Sequence, residues 1–231
     1  PAVTASLIVA CPCSLLLSAT FTFGNMLRHF GKNKFYLKNS SVIEALSRIN
    51  TIVFDKTGTI TENTMSLAKL FSLKSNKITD LNEDLNEDEK ALIATSMWAS
   101  EPIPFDAMEI ALHDAYSNLD LADERADFKL AYEYPLSGKP PMMTHIFENE
   151  KGIRVIATKG APEAIMAYSN LSENESQYIQ QALKTMTQEG FRVLAVAEAK
   201  FYGEDFPEKQ QDFSFKFKGL VAFYDPPKSN I

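Results

Sequence analysis

The chain has 231 residues, 45% of them hydrophobic, which is enough to bury at least one core and excludes a disordered tail or linker. A formal net charge of −7 speaks against nucleic acid as a partner, because phosphate backbones attract concentrated basic surface and none is gathered here.

Residues 1–27 carry no ionisable side chain other than two thiols, and about 20 apolar residues suffice to span a bilayer. The stretch 1–28 reads as a membrane helix. Arg28, Lys32, Lys34 and Lys38 follow the apolar run, the reverse of a secretory signal peptide, and the positive-inside bias places what comes next in the cytoplasm. The other reading of this stretch is a buried helix of a soluble protein. The chain does not begin with Met and reads as a fragment.

Both cysteines fall in the apolar run, as Cys11-Pro12-Cys13, a spacing with poor geometry for a mutual disulfide. Pro12 removes a backbone donor and clashes with the preceding turn, so the helix is expected to break there, and transporters build ion sites at such breaks. Thiolates are soft ligands suited to monovalent copper or zinc. From spacing alone two readings stand side by side: a soft-metal site at Cys11 and Cys13, or two small packing residues beside a kink.

"NSSVIEALSRIN" then predicts a short helix capped by Ser40 or Ser41, burying Val42, Ile43, Ala45, Leu46 and Ile49. Thr51 to Phe54 reads as a buried strand, with Asp55 at its carboxyl end, where open α/β sheets place chemistry. Asp55 is a candidate nucleophile that could carry an acyl phosphate. The backbone and hydroxyls of Lys56, Thr57, Gly58 and Thr59 could close around a phosphoryl group. Neither GxxxxGK[ST] nor GxGxxG occurs in the chain.

Beyond residue 63 the pattern is a strand over 66–73, an acidic run from Asp80 to Glu89 read as a solvated loop and helix start, and helices near 87–100 and 106–118. Strands follow near 128–134, 142–147 and 153–159, then a helix with a capping box at Ser172 and Glu175 and a closing Gly190, and the strand "FRVLAVAEA". That is an antiparallel sheet flanked by helices. Lys159 stands at a strand end before Gly160, where its ammonium could complement phosphate. The same "KGAP" also fits a plain strand-to-helix loop with Pro162 in the first helical turn. "GLVAFYDPPK" is a last apolar strand ending at Asp225.

"DKTGTIT" at residues 55–61 resembles the phosphorylation motif of P-type ATPases, ion pumps whose phosphorylation domain has the haloacid-dehalogenase fold. The resemblance implies that Asp55 is phosphorylated, that Thr57 contacts phosphate and, through its carbonyl, Mg²⁺, and that Lys56 belongs to the same loop. "ACPCSLLLSAT" resembles the broken membrane helix of the heavy-metal branch, implying Cys11 and Cys13 as ligands of the transported ion. The region from 63 onward is similar to the inserted nucleotide-binding domain of the calcium and sodium/potassium branch. "KGAPEAI" implies Lys159 and Gly160 at the ATP site, "GFRVLAVA" implies Arg192, and "DAMEIAL" implies Glu109 on the adenine side. The sequence departs from that branch at "LSGKPPMM", where Leu136 stands in the position of the adenine-stacking aromatic, and it lacks the His-Pro pair of the heavy-metal branch. Asp225 resembles the return into the phosphorylation domain.

The expected fold is therefore α/β, a partial haloacid-dehalogenase-like phosphorylation domain with an inserted α+β antiparallel-sheet nucleotide-binding domain, preceded by a transmembrane helix. The expected divisions are 1–28 (membrane helix broken at Pro12), 29–62 (first part of the phosphorylation domain), 63–217 (nucleotide-binding domain) and 218–231 (return, truncated). The expected function is the middle part of an integral-membrane cation pump using ATP and Mg²⁺, with its phosphorylation and nucleotide-binding domains in the cytoplasm. The partners implied are a transported cation, the lipid bilayer, the actuator domain, the other membrane helices and the rest of the phosphorylation domain. The thiols favour a soft metal over Ca²⁺ or K⁺. The Thr-Gly-Asp and Gly-Asp-Gly motifs of the family do not occur. The isolated piece is expected to neither transport nor phosphorylate itself efficiently, behaving as a noncatalytic ATP-binding module. A soluble phosphatase of the same superfamily is the rival enzyme, and should lack the apolar lead and the large insert.

Overall fold

The structure, a computed structural model, describes residues 13–54, 59–62, 64–119 and 123–229. It divides into two units, Pro1–Phe54 and Asp55–Ile231.

In the first unit, helix α1 spans Cys13–Lys32 and helix α2 spans Ser40–Leu46. α1 starts where the expected break lies and runs past residue 28, because Arg28, His29 and Lys32 continue the helix instead of ending it. Residues 1–12, with Cys11 and Pro12, lie outside the described residues. Among the described residues no helix is long and apolar enough to cross a membrane. α2 is capped by the side chain of Asn39, which accepts from Val42 N, and not by either serine. Of its expected apolar face only Ile43 is buried.

Residues 51–54 do not form the expected buried strand. Ile52, Val53 and Phe54 are 70%, 90% and 63% exposed, and no described strand lies beside them to take their backbone hydrogen bonds. An apolar run becomes a buried strand only when a neighbour supplies the ladder.

The second unit is built on a seven-stranded antiparallel sheet: β1 (Ser66–Ser72), β2 (Lys77–Asp80), β3 (Phe128–Ser137), β4 (Met142–Asn149), β5 (Arg154–Gly160), β6 (Arg192–Ala199) and β7 (Phe215–Tyr224), in the order β2-β1-β7-β6-β5-β4-β3. Helices α3 (Glu87–Trp98) and α4 (Ala107–Ser117) cover one face, where Leu92, Ile93 and Leu112 pack on Leu70, Val196, Val221 and Phe223. Helices α5 (Pro162–Ala167) and α6 (Glu173–Gln188) cover the other, with Ile165, Ile179 and Met186 against Ile146, Ile156, Phe215 and Leu220. The expected capping box of α6 is present at Ser172 and Glu175, and Gly190 follows the helix with φ +87°.

Two sequence expectations change. The acidic run is not all solvated loop. It begins in the short strand β2, and Asn86 and Glu89 form a second capping box in which Glu89, 1% exposed, also accepts from the Thr79 hydroxyl at 2.6 Å. The boundary at residue 217 also moves. β7 is one continuous strand between β1 and β6, so residues 218–224 belong to the same sheet as those two strands. Phe215, Phe217, Leu220 and Ala222 bury on one face and Val221 and Phe223 on the other, which fits a central strand covered on both sides.

Beyond β7 the two connecting segments run together as a neck. Thr61 bridges Pro227, Glu62 N donates to Pro226 O, and Lys228 N donates to Ile60 O, both at 2.9 Å. The chain thus enters and leaves the sheet through adjacent strands.

Gly160 fixes the approach of β5 to β4. A Cβ there would stand 2.6 Å from Met142 Cα and from Pro141 O, backbone atoms that cannot swing aside. Gly160→Ala should destabilise the domain by about 1–3 kcal/mol as an overpacked site, read as a lower urea midpoint. An unchanged midpoint would mean the two strands can part at no cost.

Candidate functional site

One end of the sheet, on the face covered by α3 and α4, gathers the polar side chains singled out in the sequence. Met143, Lys159 and Val196 are directly paired across β4, β5 and β6 and so point to the same face. There Lys159 meets α4. Asp106 caps that helix by accepting from Met108 N, which sets Glu109 in its first turn, facing the sheet end. Lys159 Nζ donates to Glu109 Oε1 at 2.6 Å and to the Ser100 hydroxyl at 2.7 Å. Ser100 in turn donates to Ser96 O, the final turn of α3 extended by one hydroxyl.

This ion pair is nearly dry, with side-chain exposures of 6% and 7%. Burial pushes the Lys159 amine below its ordinary pKa, while the hydrogen bond and charge of Glu109 hold it up. The pairing is incomplete. Glu109 Oε2 is buried with no hydrogen-bond partner, and Lys159 has three N–H donors of which two are accounted for. A buried carboxylate oxygen without a partner is costly unless something else donates to it. The geometry therefore leaves hydrogen-bonding capacity unused on Glu109 Oε2 and on the amine. It does not fit the open lysine reaching for phosphate that the sequence reading pictured, since the amine is already held by Glu109 and Ser100.

Arg192 opens β6 and is exposed. Alternation along the strand puts 192, 194 and 196 on one face, so Arg192 shares the face of Lys159 and stands farther out at the same end of the sheet. Leu136, 63% exposed, lies near the end of β3 beside the Gly138–Pro141 turn. Gln210 braces that turn, donating to Met142 O and Ser137 Oγ and accepting from Thr144 Oγ1. Gly160 acts through the strand approach already described.

Asp225 is elsewhere. It sits on the neck, where its Oδ2 accepts from the Thr61 hydroxyl at 2.5 Å. Asp55, Lys56 and Thr57 lie outside the described residues, as does Cys11, and of Cys13 only its place at the start of α1 is described.

Beside the pair lie two groups that the sequence does not single out. His145, fully buried on β4, approaches Ala99 O through Nδ1 at 3.2 Å, and its Nε2 is 3.8 Å from Glu101 Oε1. Burial pushes the His145 pKa down. Glu101 follows Ser100 on the loop between α3 and α4, and its backbone N approaches Glu109 Oε1 at 3.5 Å. No local spacing marks these residues. Only the sheet register brings them together.

A different cleft opens at the far end of β3–β5, lined by Lys129, Glu148, Lys151, Arg154 and Phe206. Its Arg154 is already paired with Glu148 at 2.6 Å, and it holds none of the residues singled out in the sequence.

The family described as "P-type ATPase, cytoplasmic domain N" matches residues 103–230. A probable cation-transporting P-type ATPase of Mycoplasma genitalium is 30% identical, over 96% of this chain and 25% of its own length. Calcium-transporting ATPase 1 of Saccharomyces cerevisiae is 26% identical, over 97% of this chain and 28% of its own. Probable proton ATPase 1A of Leishmania donovani is 24% identical, over 96% and 21%. The chain thus spans about a quarter of the length of these relatives. Over half of it matches the family's N domain, and Lys159, Glu109 and Arg192 lie within that match: the chain belongs to the P-type ATPase family.

Proposed function

We propose that this chain is the nucleotide-binding middle part of an ATP-driven cation pump that carries a phosphoryl group on Asp55. The observation that carries the reading is the buried Lys159–Glu109 pair with its partnerless Glu109 Oε2, at the end of the sheet where Arg192 also stands. An adenine amine can donate to that oxygen, apolar Leu136 and Met143 can contact the base in place of a stacked aromatic, and Arg192 can reach outward toward phosphate.

In the chemistry proposed, a carboxylate oxygen of Asp55 attacks the terminal phosphorus of bound ATP. The bond from that phosphorus to the bridging oxygen breaks, and ADP leaves with its electron pair. Water then hydrolyses the acyl phosphate and returns the carboxylate. The Asp55 carboxylate and Thr57 carbonyl are hard oxygen donors that suit Mg²⁺, which when bound offsets phosphate charge. The acyl phosphate cycle would drive alternating access in membrane helices, with the phosphorylation and nucleotide-binding domains on the cytoplasmic side.

Cys11 and Cys13 favour a soft cation as cargo. The calcium-transporting relative favours a second reading, a hard cation. One experiment addresses both. In the full-length pump, phosphoenzyme formation from labelled ATP is expected with Cu⁺, Ag⁺ or Zn²⁺, to vanish in Asp55→Asn, and to lose its metal response in Cys11→Ser. Labelling that survives Asp55→Asn would defeat the phosphorylation reading. Stimulation by Ca²⁺ alone would move the cargo to the second reading.

The ion pair makes a separate prediction. Glu109→Ala leaves a buried ammonium unpaired and should cost about 3–5 kcal/mol in chemical denaturation, whereas Lys159→Met with Glu109→Gln together should cost far less. Both changes should weaken ATP binding at least about tenfold, as a lost charged hydrogen bond does. A double-variant loss equal to the sum of the Glu109→Gln and Lys159→Met single-variant losses would show that the two side chains are not energetically coupled.

A further inference from the structure

We propose that Glu101, Glu133 and His145 form a site for a divalent transition metal of the zinc class, on the nucleotide-binding domain and independent of the thiols at Cys11 and Cys13. One ligand atom from each of the three lies within 4.8 Å of the others. Glu133 on β3 and His145 on β4 are directly opposite in the sheet register and so share a face. Glu101 comes from the loop between α3 and α4 that covers that face.

His145 carries the argument. Its ring is fully buried, and a carbonyl can only accept, so the contact with Ala99 O requires the proton on Nδ1. Nε2 is left with its lone pair, directed inward, with no hydrogen-bond partner. Glu101 Oε1 stands 3.8 Å from it, too far for a hydrogen bond and itself an acceptor. A buried lone pair facing carboxylate oxygens is unfavourable unless a cation lies between them.

The donor set defines that cation. One imidazole nitrogen and two carboxylate oxygens suit zinc, or cobalt and manganese in its place, better than calcium or magnesium, which take oxygen alone. Three protein ligands leave a fourth position for water. The backbone carbonyl on Nδ1 is the orienting contact that metal-bound histidines use. Ligation at about 2.0–2.2 Å draws the donors to roughly 3.4 Å apart, an inward shift of about 1 Å that partly exposed glutamates can make by rotating. Because Glu101 follows Ser100, which holds Lys159, an ion here would also fix the loop beside the ion pair.

The test uses the 231-residue chain with Cys11→Ser and Cys13→Ser, so that no thiol competes. Zn²⁺ is titrated against a chromophoric chelator, Co²⁺ by its visible absorption, and the His145 ring nitrogens are followed by NMR. One equivalent of Zn²⁺ is expected to bind, moving Nε2 and leaving Nδ1 protonated, and to raise the unfolding temperature. Glu101→Gln and Glu133→Gln, which keep size and fold, should each weaken binding at least about tenfold. Binding that ignores both glutamate changes, absence of binding, or a His145 ring carrying protons on both nitrogens without metal would each overturn the site.

Discussion

A charged lysine and a charged glutamate withdrawn together from water impose the tightest constraint in this domain. Each alone would cost several kcal/mol to bury, so the pair survives only if β5 delivers Lys159 and α4 delivers Glu109 to one place. That requirement explains the local architecture around it. Asp106 starts α4 at the right residue, Ser100 extends the end of α3 to meet the amine, and Gly160 lets β5 lie against β4 closely enough for the lysine to reach. The apolar layer of Leu92, Ile93, Leu112 and Val196 keeps solvent from the pair. Glu109 Oε2 and the neighbouring His145 Nε2 are left without hydrogen-bond partners, so this end of the sheet is where an added donor or cation would gain most.

The neck sets a second constraint. Because the chain enters through β1 and leaves through β7, its neighbour, the two crossings bond to each other through Thr61, Glu62, Asp225, Pro226 and Lys228. A domain held by two paired segments can tilt as a unit while its sheet stays intact.

Much of the sheet was readable from local pattern. Strands β4, β5 and β6 are apolar runs bounded by turn residues, and α6 carries its own start and stop signals in Ser172, Glu175 and Gly190. What local pattern could not settle was partnership. The run ending at Phe54 looks as strand-like as β7, yet one is exposed and the other is central, because only β7 has neighbours on both sides. The strand β2 is four residues long and passes into an acidic run, too short to show a period. Glu109 and Arg192 are reached through family resemblance, Lys159 also through its place at a strand end before Gly160, and the register puts Lys159 and Arg192 on one face. His145 stood as an isolated histidine, since its companions are 44 and 12 residues away and meet it only through the fold.

The proposed function requires the Lys159 end of the sheet to be the nucleotide pocket. Titrating ATP into the isotopically labelled chain and following backbone amide shifts tests it most directly. Saturable shifts at Ser100, Glu101, Gly160 and Arg192, with the cleft around Lys129, Lys151 and Arg154 unmoved, are the predicted result. Saturable shifts confined to that far cleft, or none at any concentration, would contradict it.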